Sequence, residues 1–338
     1  MTLLEWYDAS RRDLPWRHTR DPYPIWVSEI MLQQTQVATV VPYYLRWMQE
    51  FPTVEALSGA SEQKVLSLWQ GLGYYRRCRM LLKGARMVAE NGMPSSAKEW
   101  MTVPGVGRYT AGAIASIALG EPVPVVDGNV ERVFARLTGC DESGGSLNRS
   151  AWRWAGNQVP IDRPGDWNQA VMELGATVCR PRDPQCSSCP LSCSCIAFKQ
   201  ECQNELPRAT LKPKTVHLRR EAWVCRCDVQ FGLEQIPDGE WWEGMWRFPL
   251  GVREALRALE LPRSGRLGVV NHTVTHHRIT MDVHVVECPN PIAGLTWFSL
   301  EELKHLPMPA PQRRALKLAV NYGRPSTIDA QGRNAAMP

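Results

Sequence analysis

Six cysteines crowd into the 24 residues from Cys179 to Cys202, out of eleven in a chain of 338. No other feature restricts the backbone path as much, because thiols at this density either pair with one another or converge on a metal. The chain does not open with a charged start followed by an unbroken apolar segment, and no run of about 18 apolar residues occurs, so neither a secretion signal nor a membrane span is expected. A cytoplasmic chain keeps its thiols reduced, which puts metal or cluster ligation ahead of disulfides. Within the crowd, Cys179-x6-Cys186-x2-Cys189-x5-Cys195 forms a gapped series of four. Zinc modules usually show two close pairs across a longer spacer, whereas four unevenly spaced thiolates suit a cubane iron–sulfur cluster. Zinc, or no metal, remains the alternative; Cys193 and Cys202 are surplus, and Cys193 could replace Cys195.

An apolar content of 44% is enough for two cores. Helical periodicity runs through 26–49, 61–70, 77–90, 108–119, 129–138 and 150–158, separated by Gly, Pro, Asp and Ser. "NELPRATLKPKT" (204–215) has almost nothing apolar from which to build an element and reads as a linker. Beyond it the period changes: "RITMDVHVVE" alternates Ile279, Met281, Val283 and Val285 against Thr280, Asp282 and His284, as in a half-buried strand. With "TVHLRREAWVCRCDV", "RLGVVNHTV" and a closing helix near 309–322, the second part reads as a small α+β domain. The expected organisation is therefore a mainly α domain over 1–203, a linker over 204–215, an α+β domain over 216–322 and a disordered tail over 323–338.

The net charge of +5 is compatible with a polyanionic partner, and from Gln63 to Ala89 six basic residues, Arg76 and Arg77 among them, occur without an acid. Such a stretch is either a phosphate-facing surface or a solvated helix face. "VPGVGRYTAGAI" (103–114) places Gly105 and Gly107 in a tight turn ahead of a helix, where exposed backbone N–H groups can receive one phosphate. This is the helix–hairpin–helix pattern of non-specific duplex binding; a plain glycine-rich turn is the other reading. The loop "RPRDPQ" would hold Arg180 and Arg182 outward towards phosphates.

Two carboxylates stand in apolar surroundings. "WVSEIMLQQTQV" (26–37) carries Glu29 among Trp26, Val27, Ile30 and Met31. It is either a solvated helix-start acid or a desolvated acid kept protonated so that it can donate a proton. In "EPVPVVDGNVERVF", Asp127 precedes Gly128 and Asn129. An N-cap explains it alone; beside Glu29 it makes a pair of one acid and one anion.

These motifs resemble the endonuclease III superfamily of DNA glycosylases, through the hairpin, "VVDGN" and the four-cysteine run. "LPWR", "WVSEIMLQQTQV", "GLGYYRR" and "VPGVGRYTAGAI" resemble its MutY-type adenine DNA glycosylases, closely over residues 5–200 and loosely beyond. The resemblance implies a two-lobed helical domain with a [4Fe–4S] cluster on Cys179, Cys186, Cys189 and Cys195, and a base flipped into the cleft between lobes. It assigns Glu29 as the acid that protonates adenine N7 and Asp127 as the charge that supports the oxocarbenium ion or captures it. Tyr109 and Asn129 would position Asp127. Arg17, Trp16 and Gln169 would define the adenine pocket, and Gln34, Thr35, Leu72 and Tyr74 would probe the gap and the opposite base. Tyr109 occupies the place of the lysine in the lyase members, and a phenol cannot form their Schiff base, so base removal without efficient strand scission is implied.

Residues 215–322 resemble the MutT-like domain of these enzymes through "EGMWRFPL" and a His-x-x-x-His loop. "VREALRALEL" lacks the paired glutamates that hold magnesium, which argues against pyrophosphate hydrolysis. The family reads 8-oxoguanine opposite the adenine with a Phe-Ser-His loop. Here Thr275 keeps the hydroxyl and His276 the imidazole, while Val274 replaces the ring, weakening the basis for preferring 8-oxoguanine over guanine. Zinc on His272, His276 and His277 is a further alternative. The expected partner is duplex DNA with an A:8-oxoguanine or A:G mispair, bound by a monomer that in a bacterium would lie on the nucleoid. Two competing readings are an endonuclease III-like lyase for oxidised pyrimidines, disfavoured by Tyr109, and a non-catalytic iron–sulfur DNA-binding module, disfavoured by Glu29 and Asp127.

Overall fold

The computed structural model describes residues 1–209, 214–251 and 264–322. Residues 210–213 of the expected linker, the segment 252–261 without paired glutamates and the tail from 323 lie outside the described residues. The chain divides into two compact units, Met1–Lys212 and Pro213–Pro338.

The first unit is helical. Its described helices are α1 Leu3–Ser10, α2 Pro22–Leu32, α3 Val37–Glu50, α4 Val54–Ser58, α5 Glu62–Trp69, α6 Tyr75–Asn91, α7 Ala97–Trp100, α8 Arg108–Ala118, α9 Gly128–Thr138, α10 Gly144–Gln158, α11 Pro164–Thr177 and α12 Ile196–Lys199. One core joins α1 to the later helices through Tyr7, Val130, Val133, Trp167, Val171 and Leu174. Edge-to-face tryptophan pairs, Trp26–Trp100 at 5.3 Å and Trp47–Trp69 at 5.5 Å, knit the earlier helices.

Two features depart from the periodicity. The run expected over 26–49 is broken at Gln33–Gln36, where four consecutive polar residues end α2, and Gln34 enters the left-handed region at φ 56°. Helix α11 has no counterpart among the expected segments because it is buried nearly all round, including Asn168 and Glu173, and so shows no amphipathic stripe. Leu206, within the expected linker, is buried and its carbonyl accepts from Arg136 Nε at 3.0 Å.

The second unit is a mixed sheet with strands β1 Val216–Cys227, β2 Gln230–Gln235, β3 Trp246–Arg247, β4 Ser264–Val274, β5 His277–Glu287 and β6 Thr296–Ser299. Its order is β3-β2-β1-β5-β4, with β6 also paired to β2. Strands β1 and β5 run parallel from Val216↔His277 to Arg226↔Glu287. The β4–β5 hairpin turns on the two residues Thr275 and His276, Thr275 at φ 53°. Helices α13 Leu300–His305 and α14 Ala310–Asn321 supply Leu303, Ala315, Leu316 and Ala319 to the core under Val224 and Val283.

Asn168 ties α11 to the segment that leads into Asp127. Its Oδ1 accepts from Val125 N at 3.1 Å, and its Nδ2 donates to Val123 O and Ser116 Oγ, both at 2.9 Å, with no solvent exposure. Asn168→Ala leaves the buried Val125 N–H and the half-buried Val123 carbonyl without the amide, and is expected to lower unfolding free energy by about 3 kcal/mol, read from denaturant melts; a loss below about 1 kcal/mol would mean that water replaces the amide.

Candidate active site

Helix α2 starts at Pro22 with Asp21 as N-cap, accepting from Tyr23 N at 2.9 Å. Glu29 is thus the eighth of eleven residues, and the helix-start explanation fails: in this half of a helix the macrodipole opposes negative charge. The side chain is 6% exposed, and its Oε2 accepts no hydrogen bond from the protein. Burial pushes the Glu29 carboxyl up to about 7; the Asp127 charge adds to the rise, while Tyr109 and Arg17 oppose it.

A second buried carboxyl lines the same cavity in the opposite state. Glu173 of α11 receives Arg12 Nε at 2.7 Å, Arg12 Nη2 at 2.8 Å, Arg12 N at 3.0 Å and Arg17 Nη2 at 2.8 Å. Burial alone would raise it, but the hydrogen bonds from Arg12 and Arg17 override that and hold it at about 2. Arg17 is fixed in turn by donating Nη1 to the Arg12 carbonyl at 2.8 Å.

Asp127 is the N-cap of α9, and the capping explanation holds for one of its oxygens. Oδ1 accepts from Asn129 N at 2.9 Å and Val130 N at 2.8 Å, while Oδ2 accepts from Asn129 Nδ2 at 2.8 Å. Gly175 lets α11 come this close, since a Cβ there would meet Asn129 Cβ at 2.6 Å. The Tyr109 hydroxyl of α8 donates to Met172 Sδ at 3.3 Å, a weak acceptor, and lies against the Glu29 carboxyl.

These groups line one cavity of about 230 Å³, bounded by Glu29, Asp127, Tyr109, Asn129, Arg17 and Glu173, with Trp16, Thr35, Gln169 and Arg12 completing it. Glu173 and Arg12 were not singled out by sequence. "AVMELGAT" encloses its acid in apolar residues just as "WVSEIM" does, and that was the signal available. The residues expected to probe or grip DNA are placed unevenly: Gln34, Tyr74, Arg76 and Arg182 are exposed. Leu72 is buried. Arg180 turns back on its own loop, donating to Asp183 O at 3.0 Å. Gly105 sits at φ 81° in the turn before α8, which begins without a side-chain cap, so its first N–H groups face outward. Thr275 and His276 are exposed in the second unit.

The sulfurs of Cys179, Cys186, Cys189 and Cys195 are near enough to act on one another. Burial pushes the Cys189 thiol up to about 11, and the other three add to the rise. Arg136 Nη1 donates to Cys179 Sγ at 3.4 Å, and Cys195 Sγ lies 3.3 Å from the Arg136 carbonyl oxygen. Among the described residues no three Cys, His, Asp or Glu side chains close around a single metal ion, those of His272, His276 and His277 included. The four thiols influence one another without closing on one ion, and a cubane cluster is larger than one ion and takes one thiolate at each corner. Cys193 is exposed. One turn back from Arg136, Arg132 donates to the Cys179 carbonyl, to Gly175 O and to Asn129 Oδ1, each at 2.8 Å, so the cysteine loop and the partner of Asp127 share one guanidinium.

The raised pKa of Glu29 has a thermodynamic consequence. Below about pH 4.5 the carboxyl is protonated in folded and unfolded chains alike; between there and about 7 only the unfolded chain ionises, so stability falls, reaching a plateau loss of about 3 kcal/mol above 7. Glu29→Gln is therefore expected to melt higher than the parent at pH 8 and alike at pH 4.5. Equal differences at the two pH values would show that Glu29 carries no buried-acid penalty.

Comparison with known proteins agrees with this geometry. The model of the HhH-GPD superfamily of base excision DNA repair proteins matches residues 27–156, and that of the NUDIX domain matches residues 221–318. An Arabidopsis thaliana protein named adenine DNA glycosylase is 43% identical across 74% of this chain and 46% of its own length, so the chain spans less than half of that relative. The Rattus norvegicus protein of the same name is 35% identical across 95% of this chain and 78% of its own length. A solved thermostable thymine-DNA glycosylase superposes with a TM-score of 0.54 at 30% identity, covering 59% of this chain and 94% of that one. The chain belongs to the adenine DNA glycosylase family, within the HhH-GPD superfamily of base excision DNA repair proteins.

Proposed function

We propose that the chain removes adenine from mispaired duplex DNA as a monofunctional glycosylase in base excision repair. The observation that carries this reading is the buried, proton-holding Glu29 sharing one cavity with the three-fold hydrogen-bonded Asp127. With adenine extruded into the cavity, Glu29 gives its proton to N7, and the C1′–N9 bonding pair leaves with the base. The sugar becomes oxocarbenium-like, Asp127 stabilises that positive charge, and water adds at C1′, its released proton restoring the Glu29 carboxyl, to leave an abasic site. Asn129 holds Asp127 in place, and Arg17 and Glu173 form a fixed polar wall against which the base can be oriented. Tyr109 offers no amine, so the reading excludes a Schiff-base strand break.

Duplex contact is assigned to the 103–107 turn, with the N–H groups before α8 and the exposed Arg76 and Arg182 facing phosphates. Gln34 and Tyr74 are assigned to the gap left by the extruded base, and Thr275 and His276 to the guanine or 8-oxoguanine opposite. Cys179, Cys186, Cys189 and Cys195 would hold a [4Fe–4S] cluster, which would supply a covalent tie across the loop from 179 to 195.

Incubation with duplexes carrying adenine opposite 8-oxoguanine or guanine is expected to give free adenine, and strand breaks only after alkali. Glu29→Gln should lower the single-turnover rate by at least about 100-fold with duplex affinity retained, and the parent rate should fall about ten-fold per pH unit above about 7 as the proton is lost. Breaks without alkali would favour a lyase, and absence of release a binding module.

Freshly purified protein is expected to be brown with a broad visible band, and Cys189→Ser to bleach it. A colourless preparation loaded with zinc would overturn the cluster assignment.

A further inference from the structure

Six basic residues between Gln63 and Ala89 read as outward-facing, yet Arg77 points inward. Its Nη1 is within hydrogen-bond distance of the carbonyls of Ile30 (2.8 Å), Met31 (3.1 Å) and Gln33, all at the C-terminal end of α2, where a helix leaves carbonyls without intrahelical partners. Its Nη2 reaches Thr35 Oγ1 at 3.2 Å, and Gly73 O at 3.4 Å and Leu72 O at 3.5 Å from the loop before α6. The guanidinium also lies over the Tyr74 ring, 5.3 Å from its centroid, and 5.5 Å from that of Trp69. One cation thus joins two loops far apart in sequence.

Each of those loops carries an exposed residue in the left-handed region: Gln34 at φ 56° and Tyr74 at φ 48°. L side chains rarely adopt this conformation, and it persists only where the surroundings over-determine it. Arg77 does this from both sides, bonding the residues before and after Gln34 and those before Tyr74. Thr35, bonded to the same guanidinium, lines the cavity that holds Glu29. We propose that Arg77 is a positioning residue that fixes Gln34 and Tyr74 as a rigid pair of prongs at the cavity mouth, so that they enter a duplex together and take the place of the extruded base. The inference rests on the proposed base removal and adds to it the residue on which extrusion depends. Lysine cannot substitute, because the contacts need two nitrogens in a planar fork rather than a point charge.

The test compares the parent, Arg77→Lys and a Gln34→Gly, Tyr74→Gly double variant, which removes the prongs and the strained residues but keeps Arg77. Two duplexes are used, one with the target adenine paired opposite guanine and one with it already unpaired opposite a one-nucleotide gap. Extrusion is followed separately by the fluorescence rise of 2-aminopurine at the target position. Arg77→Lys and the double variant should each lose about 100-fold in excision from the paired duplex and lose the fluorescence rise, and Arg77→Lys should stay within about three-fold of the parent on the gapped duplex. Equal loss on both duplexes, or no loss on either, would overturn the proposal. If the parent released adenine from neither duplex, the proposed function would fail, and the fluorescence comparison would still decide the role of Arg77. A fluorescence rise retained in Arg77→Lys would refute that role.

Discussion

Two buried carboxyl groups face one cavity, and whether an arginine reaches them decides which carries charge. Glu173 is reached by Arg12 and Arg17 through four hydrogen bonds and stays ionised despite burial. Glu29 is reached by none; it feels Arg17 only through space and keeps its proton near neutrality. The difference lies in where the guanidinium groups are anchored. Arg17 is held by the Arg12 carbonyl and by Glu173, and an Arg17 free to swing to Glu29 would erase the acid. The ion pairs around Glu173 thus hold both guanidinium groups away from the Glu29 carboxyl.

A third carboxylate on the cavity is held by the backbone of α9. Asp127 caps that helix, and the same helix carries Arg132 and Arg136 into the cysteine loop. Because Arg132 also holds Asn129, which holds Asp127, the loop is linked to the carboxylate through two side chains. Gly175 permits the close crossing of α11 over Asn129, and Asn168 fixes the segment leading to Asp127 from below. In the proposed mechanism, these supports supply the precise placement that such a carboxylate needs.

Much of this was legible in the sequence where chemistry and local pattern coincide. Glu29 stands out because an acid in an apolar run is unusual, and the cysteine spacing and the 103–107 turn are local features. Glu173 carries the same signature but falls in a helix buried on all sides, whose missing amphipathic stripe hid it. Arg77 was hidden for another reason: counting charge along a chain cannot tell that Arg76 is exposed while its neighbour turns inward to cap α2. The break at Gln33–Gln36 followed from four polar residues in succession, yet the apolar spacing on either side continues across it. In the second unit, alternation identified strands but not the parallel pairing of β1 with β5, which depends on contacts between residues some 60 positions apart.

The central claim is that position 29 holds a proton at neutral pH. It is tested most directly by carbon-13 NMR of the side-chain carboxyls across pH 3 to 9, with the Glu29 resonance assigned by its disappearance in Glu29→Gln. A titration midpoint near 7 is the result required by burial with no arginine bonded to the carboxyl. A midpoint at the ordinary glutamate value of about 4.3 would mean that Glu29 is charged in the resting protein, and the proton donor would have to be sought elsewhere.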